Sequence, residues 1–193
     1  MTPPLKGLIL CGGYSTRMQQ DKSRIAYHGI PQWQYLHGLL SKVVPEVYIS
    51  CRPDQQEIFA GTAPLITDSV TAGGPAAGLL SAYAAFPNTA WLVLACDLPL
   101  ISGQSLDYLA ARRDPQKAAT AFNSPVNHLP EPVIAIWEPR GLAVLQQSVA
   151  DGRQCPRKAL LQTDILALEN PYAAEQFNAN TPAEMEEAMR KIS

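Results

Sequence analysis

Three short stretches of this chain carry side chains whose type and spacing could do chemistry. In the first, Gly7-Leu8-Ile9-Leu10-Cys11 runs into Gly12-Gly13, and Arg17 and Lys22 follow. A glycine pair at the end of an apolar run lets the backbone approach a ligand and turn its N–H groups toward phosphate oxygens. Arg17 can fork two donors onto phosphate and Lys22 can add a point charge. Leu10, Cys11, Gly12, Gly13 and Lys22 are therefore candidate walls of a triphosphate cradle, with Arg17 and Lys22 as its catalytic cations. The spacing is neither the G-x-G-x-x-G dinucleotide fingerprint nor the G-x-x-x-x-G-K-[ST] loop. A plain strand-to-helix turn with solvated charges is the alternative reading of the same residues.

The second stretch places Asp68 after an apolar run and before Gly73-Gly74-Pro75-Ala76-Ala77-Gly78. If that segment opens a helix, its N-terminus supplies donors and positive potential beyond a strand end, where open α/β sheets bind ligands. A simple βα turn would look similar. The third is Trp91-Leu92-Val93-Leu94-Ala95-Cys96 followed by Asp97-Leu98-Pro99. A carboxylate closing a buried strand must be hydrated, partnered or bound to metal. Mg²⁺ takes one or two carboxylates and completes its shell with substrate phosphates, so Asp97 is the candidate metal ligand and a catalytic residue. Capping the next helix is the competing role, for which Ser102 is better placed.

Positioning these groups requires strands that end at one edge. Apolar runs at 5–11, 47–51, 64–67 and 91–96 read as strands, and 31–43, 78–86 and 102–113 read as helices between and after them. Alternation of this kind predicts an α/β fold with a mostly parallel sheet covered on both faces, a Rossmann-like three-layer sandwich. Further strands are expected at 118–122 and 132–137, separated by the polar stretch 123–131, which reads as a surface loop or an acceptor-recognition loop. Thr181-Pro182-Ala183-Glu184 predicts a capping box with proline at the first helical position. With 193 residues and no repeat or linker, one domain spanning 1–193 is expected.

Composition narrows the classes. Fifteen basic and seventeen acidic residues, with a net charge of −2 and no dense cationic run, argue against a nucleic-acid partner. No apolar stretch approaches the length that spans a bilayer and no signal-peptide pattern opens the chain, so neither membrane nor export is expected and the cytoplasm is the expected location. Cys11, Cys51, Cys96 and Cys155 are scattered without a C-x-x-C pair and read as buried free thiols. His28, His37 and His128 lie beside no credible nucleophile and read as surface or core residues.

From Leu10 to Lys22 the chain resembles the L-x-G-G-x-S-x-R-M-G-x-D-K signature of the molybdenum cofactor guanylyltransferases and related nucleotidyltransferases. Leu10, Gly12, Gly13, Ser15, Arg17, Met18, Asp21 and Lys22 match, while Cys11 replaces the usual alanine and Gln19 the glycine after Met18. Asp68, Gly74, Pro75 and Gly78 match the aspartate and G-P-L-x-G of the same family, with Ala76 in place of leucine, and Asp97-Leu98-Pro99 matches its metal-binding strand end. The resemblance extends from about Leu5 to about Met189. It implies the nucleotide-diphospho-sugar transferase type of fold, Mg²⁺ as cofactor, and transfer of GMP from GTP to the terminal phosphate of molybdopterin with release of pyrophosphate. Asp68 with the Gly74-Pro75 turn would contact ribose and base. By the same resemblance Arg157, Asn178 and Asn180 lie near the acceptor, with Arg153 as the rival register for Arg157. Guanine is favoured because Gly12-Gly13 matches the guanylyl branch rather than the A-A-G of cytidylyl relatives. Transient contact with cofactor insertion proteins or apoenzymes is implied as partner chemistry. CTP or a sugar phosphate as substrate, or nucleotide binding without turnover, are the alternatives, the last prompted by Gln19.

Overall fold

The computed structural model describes residues 1–13 and 21–192. Its strands are β1 (Leu5–Leu10), β2 (Val47–Cys51), β3 (Leu65–Thr67), β4 (Ala90–Ala95), β5 (Ala119–Asn123), β6 (Pro130–Trp137) and β7 (Leu166–Leu168). Helices α1 (Gln32–Leu40), α2 (Gln56–Phe59), α3 (Pro75–Ala85), α4 (Gly103–Ala111), α5 (Pro139–Ala150), α6 (Pro156–Leu160) and α7 (Pro182–Ile192) connect or follow them. The seven strands form one sheet in the order β3-β2-β1-β4-β6-β5-β7, in which β6 alone runs antiparallel to its neighbours.

Continuous hydrophobicity, not alternation, marks a strand covered on both sides. In β4 every residue from Ala90 to Leu94 is fully buried. Leu92 and Leu94 face a core shared with Ile9, with Leu36 and Leu40 of α1, and with Leu106 and Leu109 of α4. Trp91 and Val93 face the opposite core, built with Leu8, Leu79 of α3, Leu142 and Leu145 of α5, and Leu160 of α6. Two helical layers thus sandwich the sheet. The chain leaves β1 toward β2 and β3 on one side and returns to β4 on the other, so the order reverses between β1 and β4. Ligand crevices of open α/β sheets form at the carboxyl ends of such a strand pair.

Several boundaries differ from the sequence expectation for identifiable reasons. Helix α1 stops at Leu40 rather than 43, where Ser41 takes the cap and Val44 N–H folds back onto Leu40. Helix α3 begins at Pro75 rather than 78, because Gly74 adopts φ +56°, a conformation open to glycine, and proline suits the first helical position. Of the stretch 123–131 only 124–129 is loop, a tight connection between the antiparallel β5 and β6 closed by Ser124 N–H donating to Leu129 O at 2.8 Å. The sequence reading named neither helices α5 and α6 nor strand β7. β7 is three residues long and only partly buried, too short for a periodic signal. Cys155 corrects the expectation of four buried thiols: it is exposed at the start of α6, whereas Cys11, Cys51 and Cys96 are buried.

Candidate nucleotide-binding site

A cleft with about 670 Å³ of empty space, its open mouth included, lies at the β1–β4 crevice. Leu10, Cys11, Gly12, Gly13 and Lys22 form one part of its wall, Asp68, Gly74, Pro75 and Gly78 another, and Asp97 a third. Arg17 falls outside the described residues, as does Gln19.

Parallel pairing explains why the glycine turn and the acid meet. Leu10 is in register with Ala95 across β1 and β4, so Gly12 and Asp97 leave the sheet side by side, each two residues further on. Cys11 and Cys96 sit between, with Sγ atoms 3.1 Å apart and both free, as part of the cleft floor. Burial holds the Cys11 thiol well above its ordinary range, so it stays protonated and serves as packing.

Asp97 keeps 23% of its side chain exposed, yet its Oδ1 is enclosed and has no hydrogen-bond partner among the described residues. Its Oδ2 lies 3.7 Å from Lys22 Nζ. Burial raises the Asp97 carboxyl above the usual carboxylate range; Lys22 opposes the rise and Glu131 adds to it. Burial and the nearby Asp97 also push the Tyr27 phenol up to about 12. An enclosed carboxylate oxygen lacking a proton donor fits a cation ligand. Among the described residues no three His, Cys, Asp or Glu side chains converge to hold a metal by themselves. Asp97 could offer one carboxylate to a cation that draws its remaining ligands from substrate and water.

Lys22 opens a short 3₁₀ turn capped by Asp21, whose Oδ1 accepts from Ser23 N–H at 2.9 Å, and donates to Asn180 Oδ1 at 2.6 Å. Asn180 is held in turn by the start of α7. Glu184 Oε2 accepts from Asn180 N–H at 2.8 Å and from Thr181 Oγ at 3.0 Å, while Thr181 Oγ accepts from Glu184 N–H at 3.3 Å. Ala179 N–H donates to Asp97 O at 2.9 Å, laying this segment along the Asp97 turn. The helix cap predicted from sequence therefore also positions Asn180, which meets Lys22 but does not itself line the cleft.

On the other side, Asp68 Oδ1 accepts from Ser50 Oγ at 3.1 Å. Burial raises the Asp68 carboxyl, and Ser50 and Arg52 oppose the rise. A Cβ on Gly12 would stand 2.7 Å from Asp68 Oδ2, and one on Gly78 would strike Ser50 Oγ and come within 2.7 Å of Leu10 Cδ2. Both glycines are thus needed for close approach. Gly12→Ala is expected to leave the fold intact, since a carboxylate tip can swing away. It should weaken GTP binding roughly tenfold by turning Asp68 off Ser50, the loss expected for one charged hydrogen bond; titration calorimetry with GTP measures it, and an unchanged Kd would show that Asp68 orientation does not matter.

Two residues expected near an acceptor lie outside the cleft lining. Arg157 donates to Pro130 O and Glu131 Oε2, at 3.1 and 2.7 Å, and does not line the cleft. Asn178 donates to Gln176 O at 3.3 Å and is likewise outside the lining. Arg153, the rival register, is paired with Asp151 at the surface. Conversely, the sequence reading missed Ser50, Arg52 and Gln55, which act on the cleft from the end of β2. Their signal was available: a polar cluster directly after a parallel strand falls on the ligand edge of the sheet. His28, assigned no chemistry, donates from Nε2 to Pro99 O at 2.8 Å and stacks on Tyr35. With Gln32 donating to Leu98 O and Tyr35 to Ile101 O, it fixes the turn after Asp97.

A glycine turn, a helix N-terminus and a carboxylate with an enclosed, unpartnered oxygen thus meet at the switch point of a mostly parallel sheet inside a three-layer α/β sandwich. The chain belongs to the family of the MobA-like NTP transferase domain, whose model matches residues 7–167. Among its relatives, a molybdenum cofactor guanylyltransferase of Pseudomonas aeruginosa is 30% identical over 194 residues, covering 93% of this chain and 92% of that protein. A molybdenum cofactor biosynthesis bifunctional protein of Synechocystis is 33% identical over 180 residues; these are 93% of this chain but only 52% of that protein, so the chain spans about half of it. The crystal structure of molybdopterin-guanine dinucleotide biosynthesis protein A from Archaeoglobus fulgidus superposes with a TM-score of 0.78 at 20% identity, over 96% of this chain and 97% of that one, and shares the fold.

Proposed function

We propose that this protein transfers GMP from GTP to the terminal phosphate of molybdopterin, releasing pyrophosphate and forming the guanine dinucleotide cofactor. What carries the reading is that guanylyltransferase relatives align along nearly the whole chain, while the cleft holds Asp97 with its Oδ1 unpartnered among the described residues and its Oδ2 3.7 Å from Lys22 Nζ. A phosphate oxygen of the acceptor attacks the α-phosphorus; its bond to the bridging oxygen of the β-phosphate breaks, and pyrophosphate departs with that electron pair. The acceptor phosphate is ionised at neutral pH, so no strong general base is required, and positioning with charge neutralisation carries the catalysis. Gly12 and Gly13 bind phosphates, Asp68 with the Gly74-Pro75 turn contacts ribose and base, and Lys22 neutralises charge on the leaving group. Asn180, held by Lys22, faces the acceptor. Asp97 would hold Mg²⁺, which when bound supplies further neutralisation of the triphosphate. Arg17 belongs to this set by its place in the signature.

No helix among the described residues is long and apolar enough to cross a membrane. We assign the reaction to the cytoplasm, with product handed to insertion proteins or apoenzymes by transient contact. The test supplies Mg²⁺, molybdopterin and each of the four common nucleoside triphosphates in turn, following pyrophosphate and dinucleotide. Product with GTP alone is expected. Turnover with CTP would reassign the base, and GTP binding without pyrophosphate release would mark a binding module.

A further inference from the structure

Two side chains just after β2 grip the backbone of the glycine turn from behind. Arg52 Nη1 donates to Gly12 O at 2.9 Å and to Gly13 O at 3.1 Å. Its Nε and Nη2 donate to Asp54 Oδ1 and Oδ2, each at 3.0 Å, so the guanidinium is held from its far side by a carboxylate. Gln55 is almost fully buried; its Nε2 donates to Cys11 O at 3.3 Å and to Asp21 Oδ2 at 2.9 Å. Gln55 Oε1 accepts from Arg52 N–H at 3.1 Å, tying the two grips together. Three consecutive carbonyls, of Cys11, Gly12 and Gly13, are thereby drawn to the same partner segment.

The planar trans peptide makes the consequence definite. Within each unit the C=O and the following N–H point in opposite directions. Holding the Cys11 carbonyl on Gln55 turns the Gly12 N–H away from Gln55, and holding the Gly12 carbonyl on Arg52 turns the Gly13 N–H away from Arg52. Gly12 and Gly13 both line the cleft, and neither amide donates to another described residue. Successive free N–H groups facing one concavity make an anion nest, whereas carbonyl oxygens facing a triphosphate would repel it. Neither glycine has a side chain to hold its peptides in place, and glycine explores more backbone conformations than any other residue.

We infer that Arg52 and Gln55 are positioning residues of the phosphate site. They hold the carbonyls of Cys11, Gly12 and Gly13 behind the loop so that its N–H groups are set for a polyphosphate. Arg52 acts through the backbone and touches no phosphate itself. This rests on reading the cleft as a nucleoside triphosphate site.

The test measures binding of three probes, GTP, inorganic tripolyphosphate and guanosine, to the whole protein and to Arg52→Met, Arg52→Lys and Gln55→Met, with melting temperatures recorded alongside. Arg52→Met is expected to weaken GTP and tripolyphosphate roughly tenfold, in line with two lost hydrogen bonds from a charged donor, and to leave guanosine unchanged. Arg52→Lys, whose single ammonium cannot reproduce the fork, should recover part of that loss. Gln55→Met should follow the same pattern more weakly. Equal weakening of guanosine and tripolyphosphate would mean a general loss of structure and overturn the inference, as would unchanged GTP binding in Arg52→Met. If Arg52→Met does not fold, a GTP affinity in Arg52→Lys equal to the unmodified protein is the overturning result and a selective loss for the two phosphate probes the supporting one. Failure of the unmodified protein to bind GTP or tripolyphosphate would instead overturn the nucleotide reading on which the inference stands.

Discussion

Replacing Asp97 with asparagine lowers guanylyl transfer by at least about a hundredfold, the scale seen when one preorganised electrostatic group is lost, and leaves the ligand-free protein as stable as before or more so at neutral pH. The two halves have one origin. Asp97 Oδ1 is enclosed without a donor, and burial lifts the carboxyl above its ordinary range. A folded-state pKa above the unfolded value means that the folded state binds more protons between the two, so stability falls as pH rises through that window. Below the unfolded value both forms are neutral and Asn and Asp variants should be equally stable; above the folded value the native protein carries the full penalty and Asn does not. A group retained at such a cost serves a ligand rather than the fold. Pyrophosphate release measured against melting temperature between acid and neutral pH checks both. Near-native turnover sinks the assignment, and a melting temperature several degrees lower would make Asp97 structural.

Lys22→Met is expected to be nearly as damaging, with turnover down at least about a hundredfold and the Michaelis constant for GTP raised. Lys22 Nζ stands 2.6 Å from Asn180 Oδ1 and 3.7 Å from Asp97 Oδ2, joining the metal-ligand candidate to the start of α7. Methionine keeps the apolar stem and removes the charge, so the cleft loses a compact cation where triphosphate charge must gather. Asp97 also loses the group that opposes its raised pKa, so the acid limb of the variant's pH–rate profile should move upward. Steady-state kinetics with GTP across pH tests this; turnover within threefold of the unmodified protein would remove Lys22 from the catalytic set.

Some of this was legible because the relevant physics is local. The unbroken apolar run at Trp91, Leu92, Val93 and Leu94 specifies a strand buried on both faces, and the acid that ends it stands out for lacking any structural use. Gly12 marks close approach of the backbone by its own conformational freedom, whereas the helix start at Gly74-Pro75 lies three residues before the one expected at Gly78. Ser102 and the Thr181-Glu184 cap follow from hydrogen-bond chemistry spanning two to four residues. Arg157 shows the converse: its type suits an acceptor phosphate, but its guanidinium is already occupied by Glu131 and Pro130.

What the sequence alone determined, then, was the set of strand ends and the chemistry placed on each. It could not determine who meets whom. Lys22 and Asn180 are 158 positions apart, and Arg52 reaches Gly12 across 40; both encounters depend on the sheet order that returns the chain from β3 past β1 to β4. Hydrophobic period and glycine freedom are properties of neighbouring residues, whereas a side chain's distant partner is chosen by the packing that buries both sheet faces at once. The glycine turn was visible as a motif, and only the tertiary structure brought Arg52 and Gln55 onto its carbonyls.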